Sequence, residues 1–157
     1  MRLTSWNCKG FGSRIKEEVL KDIIKTPNSE ILLIQETKME EQEFLNITNT
    51  LWKIRKGIEE SARGASGGIG TLWNHTKYDL IKYETCKHWI YTNLLHKEMG
   101  RQVSLFNLYV PALLEEKRSC WDTLKYYLLL NDLENIIIGG DLNVTLALNE
   151  KKGGSIV

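Results

Sequence analysis

The order of apolar and polar positions divides the chain into short segments of two kinds. Leu3-Thr4-Ser5-Trp6-Asn7-Cys8 reads as a strand that runs into a Lys9-Gly10-Phe11-Gly12 turn. Ile15, Val19, Leu20, Ile23 and Ile24 then form a helical stripe, stopped by Pro27-Asn28. Ile31-Leu32-Leu33-Ile34 is a compact apolar run, the pattern of a strand covered on both faces and joined to a parallel neighbour by a helical crossover. Thr37-Lys38-Met39-Glu40 has the spacing of a capping box, and Phe44, Ile47 and Leu51 give the helix after it a buried face.

From Gly67 to Pro111 the pattern changes to strands: Gly68 to Asn74, Tyr78 to Thr85, His88 to His96 and Gln102 to Val110, with short turns between them. This predicts an antiparallel meander. Leu114, Trp121, Leu124 and Leu128 mark a third helix, and Asn135 to Asn143 a buried strand through Gly139-Gly140-Asp141-Leu142-Asn143. The order of elements is that of an α/β fold with a mixed sheet.

Composition narrows the function more than the fold. With 157 residues, 42% hydrophobic and 26% charged, the chain reads as soluble and globular, with residues 1–157 forming one domain or a piece of one. Its apolar runs are too short to cross a bilayer and the N-terminus lacks a charged-then-apolar leader, so an intracellular, non-secreted protein is expected. Cys8, Cys86 and Cys120 are odd in number and lack metal-type pairing, which fits a reducing compartment. A net charge of +1 gives no whole-chain argument for binding nucleic acid and leaves a local basic surface as the alternative.

Polar groups suited to phosphoryl transfer stand at the strand ends: Asn7, Glu36, Tyr109, and the pair Asp141 and Asn143. Period-two alternation puts Asp141 and Asn143 on one face if the strand runs through both, and likewise Asn107 and Tyr109. A Glu with an Asn or Asp, and no His or Cys, is adequate protein ligation for magnesium, which takes hard oxygen ligands and keeps several waters. Each of these residues also has an ordinary reading as a turn or strand-end residue. Ser66-Gly67-Gly68 is a turn feeding a strand, since no lysine-bearing P-loop accompanies it.

Five segments in order carry a resemblance: Ser5-Trp6-Asn7-Cys8-Lys9-Gly10, Leu33-Ile34-Gln35-Glu36-Thr37-Lys38, Ser66-Gly67-Gly68-Ile69, Asn107-Leu108-Tyr109-Val110-Pro111 and Gly139-Gly140-Asp141-Leu142-Asn143. Together they resemble the endonuclease/exonuclease/phosphatase family, and most closely the apurinic-type endonuclease domain of plant non-LTR retrotransposons. The resemblance implies a DNase I-like sandwich of two mixed sheets flanked by helices, with the active site where strand ends and loops meet. It implies Mg2+ or Mn2+ as cofactor, no small-molecule cofactor, DNA as partner, and no membrane. Glu36 and Asn7 then look like the metal-side residues, and Tyr109 like the phenol beside the scissile phosphate. Asp141 resembles the carboxylate that orients or deprotonates the attacking water, and Asn143 its partner in holding the phosphate. Lys9 and Lys38, each just past a metal-side residue, are candidates for DNA phosphates.

The resemblance also implies an Asp-His pair further on than Val157. His75, His88 and His96 all precede the Gly-Asp-Leu-Asn segment. The expectation is therefore a C-terminally truncated endonuclease domain with little activity alone, and without the reverse transcriptase of full-length relatives. Two other readings stand beside it: the same fold acting on a phosphoinositide, sphingolipid or RNA tail, and a non-catalytic relic.

Overall fold

The computed structural model of the chain describes residues 1–25, 28–63 and 66–144. Their order is β1 (Leu3–Asn7), α1 (Arg14–Lys25), β2 (Ile31–Gln35), α2 (Glu41–Leu51), β3 (Arg55–Arg63), β4 (Ser66–Asn74), β5 (Tyr78–Cys86), β6 (Trp89–His96), β7 (Arg101–Tyr109), α3 (Leu114–Leu130) and β8 (Ile136–Asp141). Two four-stranded sheets result, one in the order β1-β2-β4-β3 and the other β5-β6-β7-β8. Both are mixed: β1 and β2 run parallel, as do β7 and β8, and the other pairs are antiparallel.

Alternation along β2 shows how the layers form. Ile31 and Leu33 enter the core between the sheets with Ile58, Trp73, Ile90 and Leu105. Leu32 and Ile34 face the other way, into a cluster with Leu20 of α1, Phe44 of α2 and Leu72. All five β2 residues are buried, as the unbroken apolar run predicts. On the outer face of the second sheet, Cys120 and Leu124 of α3 pack on Trp89, Tyr91, Phe106 and Leu108. The result is a two-sheet α/β sandwich with helices on both outer faces.

Several expectations need correction. The meander is split, because β4 pairs with β2 and β3 in the first sheet while β5, β6 and β7 form the second. Strand β3 has no counterpart in the apolar pattern: Arg55-Lys56-Gly57-Ile58-Glu59-Glu60 is mostly polar, and an edge strand needs only one apolar face. The helical stripe of α1 is narrower than its apolar residues suggest, with Leu20 buried, Ile23 and Ile24 packed beside it, and Ile15 and Val19 exposed. Pro27, assigned to stop that helix, lies outside the described residues. Finally, β8 is not a buried strand. It forms the edge of its sheet, and only Ile137 turns into the core while Ile136 and Ile138 are exposed.

The capping box also fails. Helix α2 starts at Glu41, its N-cap Glu40 makes no side-chain cap hydrogen bond, and Thr37 is turned inward. There the Thr37 hydroxyl donates to Glu59 Oε1 at 2.7 Å. A buried acceptor on the missed strand β3 wins over the helix terminus.

Candidate active site at the strand ends

Parallel pairing within each sheet brings the carboxyl ends of β1 and β2 side by side, with Asn7 opposite Gln35, and those of β7 and β8, with Tyr109 opposite Asp141. The two pairs meet across the sandwich, and β8 carries glycine where Leu33 of the facing sheet presses on it: a Cβ on Gly139 would lie 2.8 Å from Leu33 Cδ1. Gly140 is required more strictly, since its φ is 128° and a Cβ would fall 2.0 Å from the Leu108 carbonyl oxygen.

Four of the five strand-end side chains nominated from the sequence converge as a result. The Asn7 amide Nδ2 donates to Asp141 Oδ2 at 2.6 Å and reaches Glu36 Oε1 at 3.5 Å. The Tyr109 hydroxyl donates to the same Glu36 oxygen at 2.8 Å. Burial pushes the Tyr109 phenol above its ordinary pKa, and the bond to Glu36 and the charge of Asp141 add to that, so it stays a protonated donor. One amide thus bridges two carboxylates from opposite sheets.

Asn143 stands apart. The strand ends at Asp141, and Asn143 follows in a left-handed conformation, φ 48°, so the alternation that would align the two side chains does not hold. Its amide donates to the Val110 carbonyl at 2.7 Å, while its backbone N–H donates to Asp141 Oδ1 at 2.9 Å. It fixes Asp141 from behind rather than joining the cluster. Lys9 is exposed and its N–H donates to Asn7 Oδ1 at 3.1 Å; Lys38 Nζ lies 3.8 Å from Glu36 Oε2. Both lysines therefore border the cluster.

Glu36 sits on a turn with φ 54°, followed by Lys38 at 55°, conformations costly for residues with a side chain. Backbone bonds on both sides hold the turn. Gly10 N–H donates to the Glu36 carbonyl and Phe11 N–H to that of Thr37, at 2.7 and 2.9 Å. Thr37 and Lys38 donate to the carbonyls of Gly68 and Gly67, each at 3.1 Å. The Cys8 thiol adds bonds to the carbonyls of Gln35 and Glu36, both at 3.2 Å, and burial pushes that thiol up to about 11.

Beneath the cluster lies a polar layer absent from the sequence-nominated set. Asn107, fully buried, accepts from Gln35 Nε2 at 2.7 Å and donates to the Gly70 carbonyl at 2.8 Å, tying the two sheets together directly under Tyr109. Its place on the Tyr109 face of β7 was the available signal. His88 lies in a groove of about 480 Å³ beside Tyr109, with Gly67, Gly68 and Pro111.

The donor set suits a hard divalent cation: two carboxylates held close by one amide, with no thiolate or imidazole among them. No group of three or more His, Cys, Asp or Glu residues arranged for a metal occurs among the described residues. Magnesium, which keeps most of its waters, asks for no such group.

A family profile for the endonuclease/exonuclease/phosphatase family matches residues 4–155. The chain belongs to that family. Among solved structures, a humanised D. rerio TDP2 superposes with a TM-score of 0.70 at 14% identity, covering 92% of this chain and 66% of that one. The human Nocturnin catalytic domain with bound sulfate gives 0.69 at 17%, covering 92% and 64%. The endonuclease domain of TRAS1, a telomere-specific non-LTR retrotransposon, gives 0.68 at 17%, covering 92% and 61%. At such identities the likeness establishes the DNase I-like fold, and the chain spans slightly under two thirds of the length of these proteins. No curated protein matches its sequence. No helix among the described residues is long and apolar enough to cross a membrane.

Proposed function

We propose that this chain is part of a divalent-metal-dependent phosphodiesterase domain that nicks DNA, of retrotransposon type. The observation that carries the reading is the convergence of Asn7, Glu36, Tyr109 and Asp141 from four strand ends of two sheets. The family membership and the likeness to the TRAS1 endonuclease domain support it.

In this reading Glu36 and Asn7 hold Mg2+ or Mn2+, which when bound polarises a phosphate oxygen and steadies the leaving oxygen. Tyr109, kept protonated, donates a hydrogen bond beside the scissile phosphate. Asp141 accepts a proton from, or orients, the attacking water, and Asn143 keeps Asp141 aimed through its N–H. Lys9 and Lys38 meet phosphates of the strand.

Supercoiled plasmid tests the proposal. The 157-residue chain is expected to nick weakly or not at all alone, and to nick with Mg2+ when fused to the C-terminal part of a related retrotransposon endonuclease domain. Within the fusion, Asp141→Asn should lower the nicking rate by about a hundredfold or more, the usual size of a general acid-base contribution. A folded fusion that is inert, or an Asp141→Asn variant that cuts like its parent, overturns it.

A further inference from the structure

Glu59 is a carboxyl group buried to 4% exposure on the edge strand β3, on the face that α2 covers. Its Oε1 accepts from the Thr37 hydroxyl, and its Oε2 has no hydrogen-bond partner among the described residues. The groups whose charges act on it are Glu40, Glu41 and Glu43, at the start of α2, all of one sign. Burying a carboxyl in such company is costly, and its single bond goes to the residue next to Glu36. Thr37 is fully buried as well, between a backbone N–H given to Gly68 and a carbonyl taken by Phe11. Gly68 leaves just enough room, for a Cβ there would lie 2.0 Å from Thr37 Oγ1. Strand β3 also holds the chain between that turn and α2 at two points: the Ala62 N–H donates to the Met39 carbonyl, and the Glu41 N–H donates to Ser61 Oγ.

Resting on the metal role proposed for Glu36, we infer that Glu59 is a positioning residue: by pinning the Thr37 side chain it fixes the left-handed turn that aims the Glu36 carboxylate at Asn7 and Tyr109, and so sets the affinity of the strand-end site for a divalent cation. The backbone bonds of the turn fix its position. The Thr37 side chain fixes its rotation, because Thr37 is held on the buried side of the turn while Glu36 reaches out to the cluster. A carboxyl pushed up to about 8 by burial and by its acidic neighbours, against the pull of the Thr37 bond, is mostly neutral near pH 7, which removes the repulsion an ionised Glu59 would exert on this turn.

The test compares Glu59→Gln and Thr37→Ser, which keep the side-chain hydrogen bond, with Glu59→Ala and Thr37→Val, which remove it. Two signals are read on the 157-residue chain: Mn2+ binding by water-proton relaxation, and the NMR resonances of the Asn7 side-chain amide and the Tyr109 ring, both of which touch Glu36. Glu59→Ala and Thr37→Val should each shift those resonances and weaken Mn2+ binding by about tenfold or more, the range for residues that orient metal ligands. Glu59→Gln and Thr37→Ser should stay close to the parent in both. The double variant should be no weaker than either deletion alone. If Glu59→Ala leaves the Asn7 and Tyr109 resonances in place, or if Glu59→Gln moves them as far as Glu59→Ala does, Glu59 does not position Glu36. Should the parent bind no Mn2+, the metal reading falls, while the resonances still decide the positioning claim. Should Glu59→Ala fail to fold, the contrast between Thr37→Val and Thr37→Ser decides it instead.

Discussion

The strand-end cluster and an exposed flank, the outward-facing residues of β8, share a strand yet differ in almost every other respect. At the cluster, side chains that begin in different sheets are bonded to one another, and a buried polar layer through Asn107 and Gln35 supports them. At the flank, Ile136 and Ile138 face outward. The difference teaches that, among the described residues, the site's geometry is held through the β7 side of β8 and the sheet across from it, while the outward-facing residues of β8 make no bond to the cluster.

The most damaging way to break the comparison is to remove β8 from both regions at once. Gly140→Val forces a side chain into the Leu108 backbone at a positive φ, and should cost about 3 kcal/mol or more in urea denaturation. Loss of the Asn7 and Tyr109 signals alongside would show that cluster and flank stand on the same strand; a small effect would show that β8 can detach without harm. Next in size, Asn107→Leu leaves Gln35 and the Gly70 carbonyl without their buried partner and should cost about 2 kcal/mol. A loss confined to stability, with the cluster intact, would mean that the polar layer does not shape the site.

The pH dependence comes third. Glu59, raised to about 8 from 4.5, binds a proton in the folded chain that the unfolded chain has already released, so stability should fall as pH rises from about 4.5 to about 8, by on the order of a few kcal/mol. Glu59→Gln should flatten that slope. Glu30 works in the opposite direction: burial raises it, but bonds from Lys77, Tyr78 and the Arg2 N–H outweigh this and hold it at about 2, so its contribution is lost as pH falls from 4.5 toward 2. Thermal melts across about pH 3 to 9 in the two backgrounds separate these groups. The smallest effect belongs to the flank itself. Ile136→Lys and Ile138→Lys should change stability by less than about 0.5 kcal/mol while lowering hydrophobic-dye binding and aggregation; a large loss of stability would show that the flank is packed after all.

Much of the fold was legible because burial on both faces leaves an unbroken apolar run, as in β2, and burial on one face leaves a periodic one, as in α3. Strand β3 escaped because, beside Ile58, its buried positions hold Arg55 and Glu59, whose burial depends on partners that no local pattern records: the Arg55 guanidinium donates to the Leu45 carbonyl, and Glu59 is met by Thr37. Thr37 was misread for the same reason, its spacing being right for a cap and its actual acceptor 22 positions away. The cluster residues Asn7, Glu36, Tyr109 and Asp141 were legible as a set of strand ends, since parallel pairing brings such ends together. Asn143 was placed on the strand face because the turn after Asp141 leaves no trace in alternation.

The bond between Asn7 and Asp141 spans 134 positions of sequence. Loops of that length close slowly, and contacts so distant form late in folding. During synthesis from the N-terminus, Asn7 and Glu36 emerge early, but their partner on β8 arrives only after the intervening helices and strands have left the ribosome. The cluster of Asn7, Glu36, Tyr109 and Asp141 therefore cannot assemble while those elements are being made, and it forms only once β8 docks.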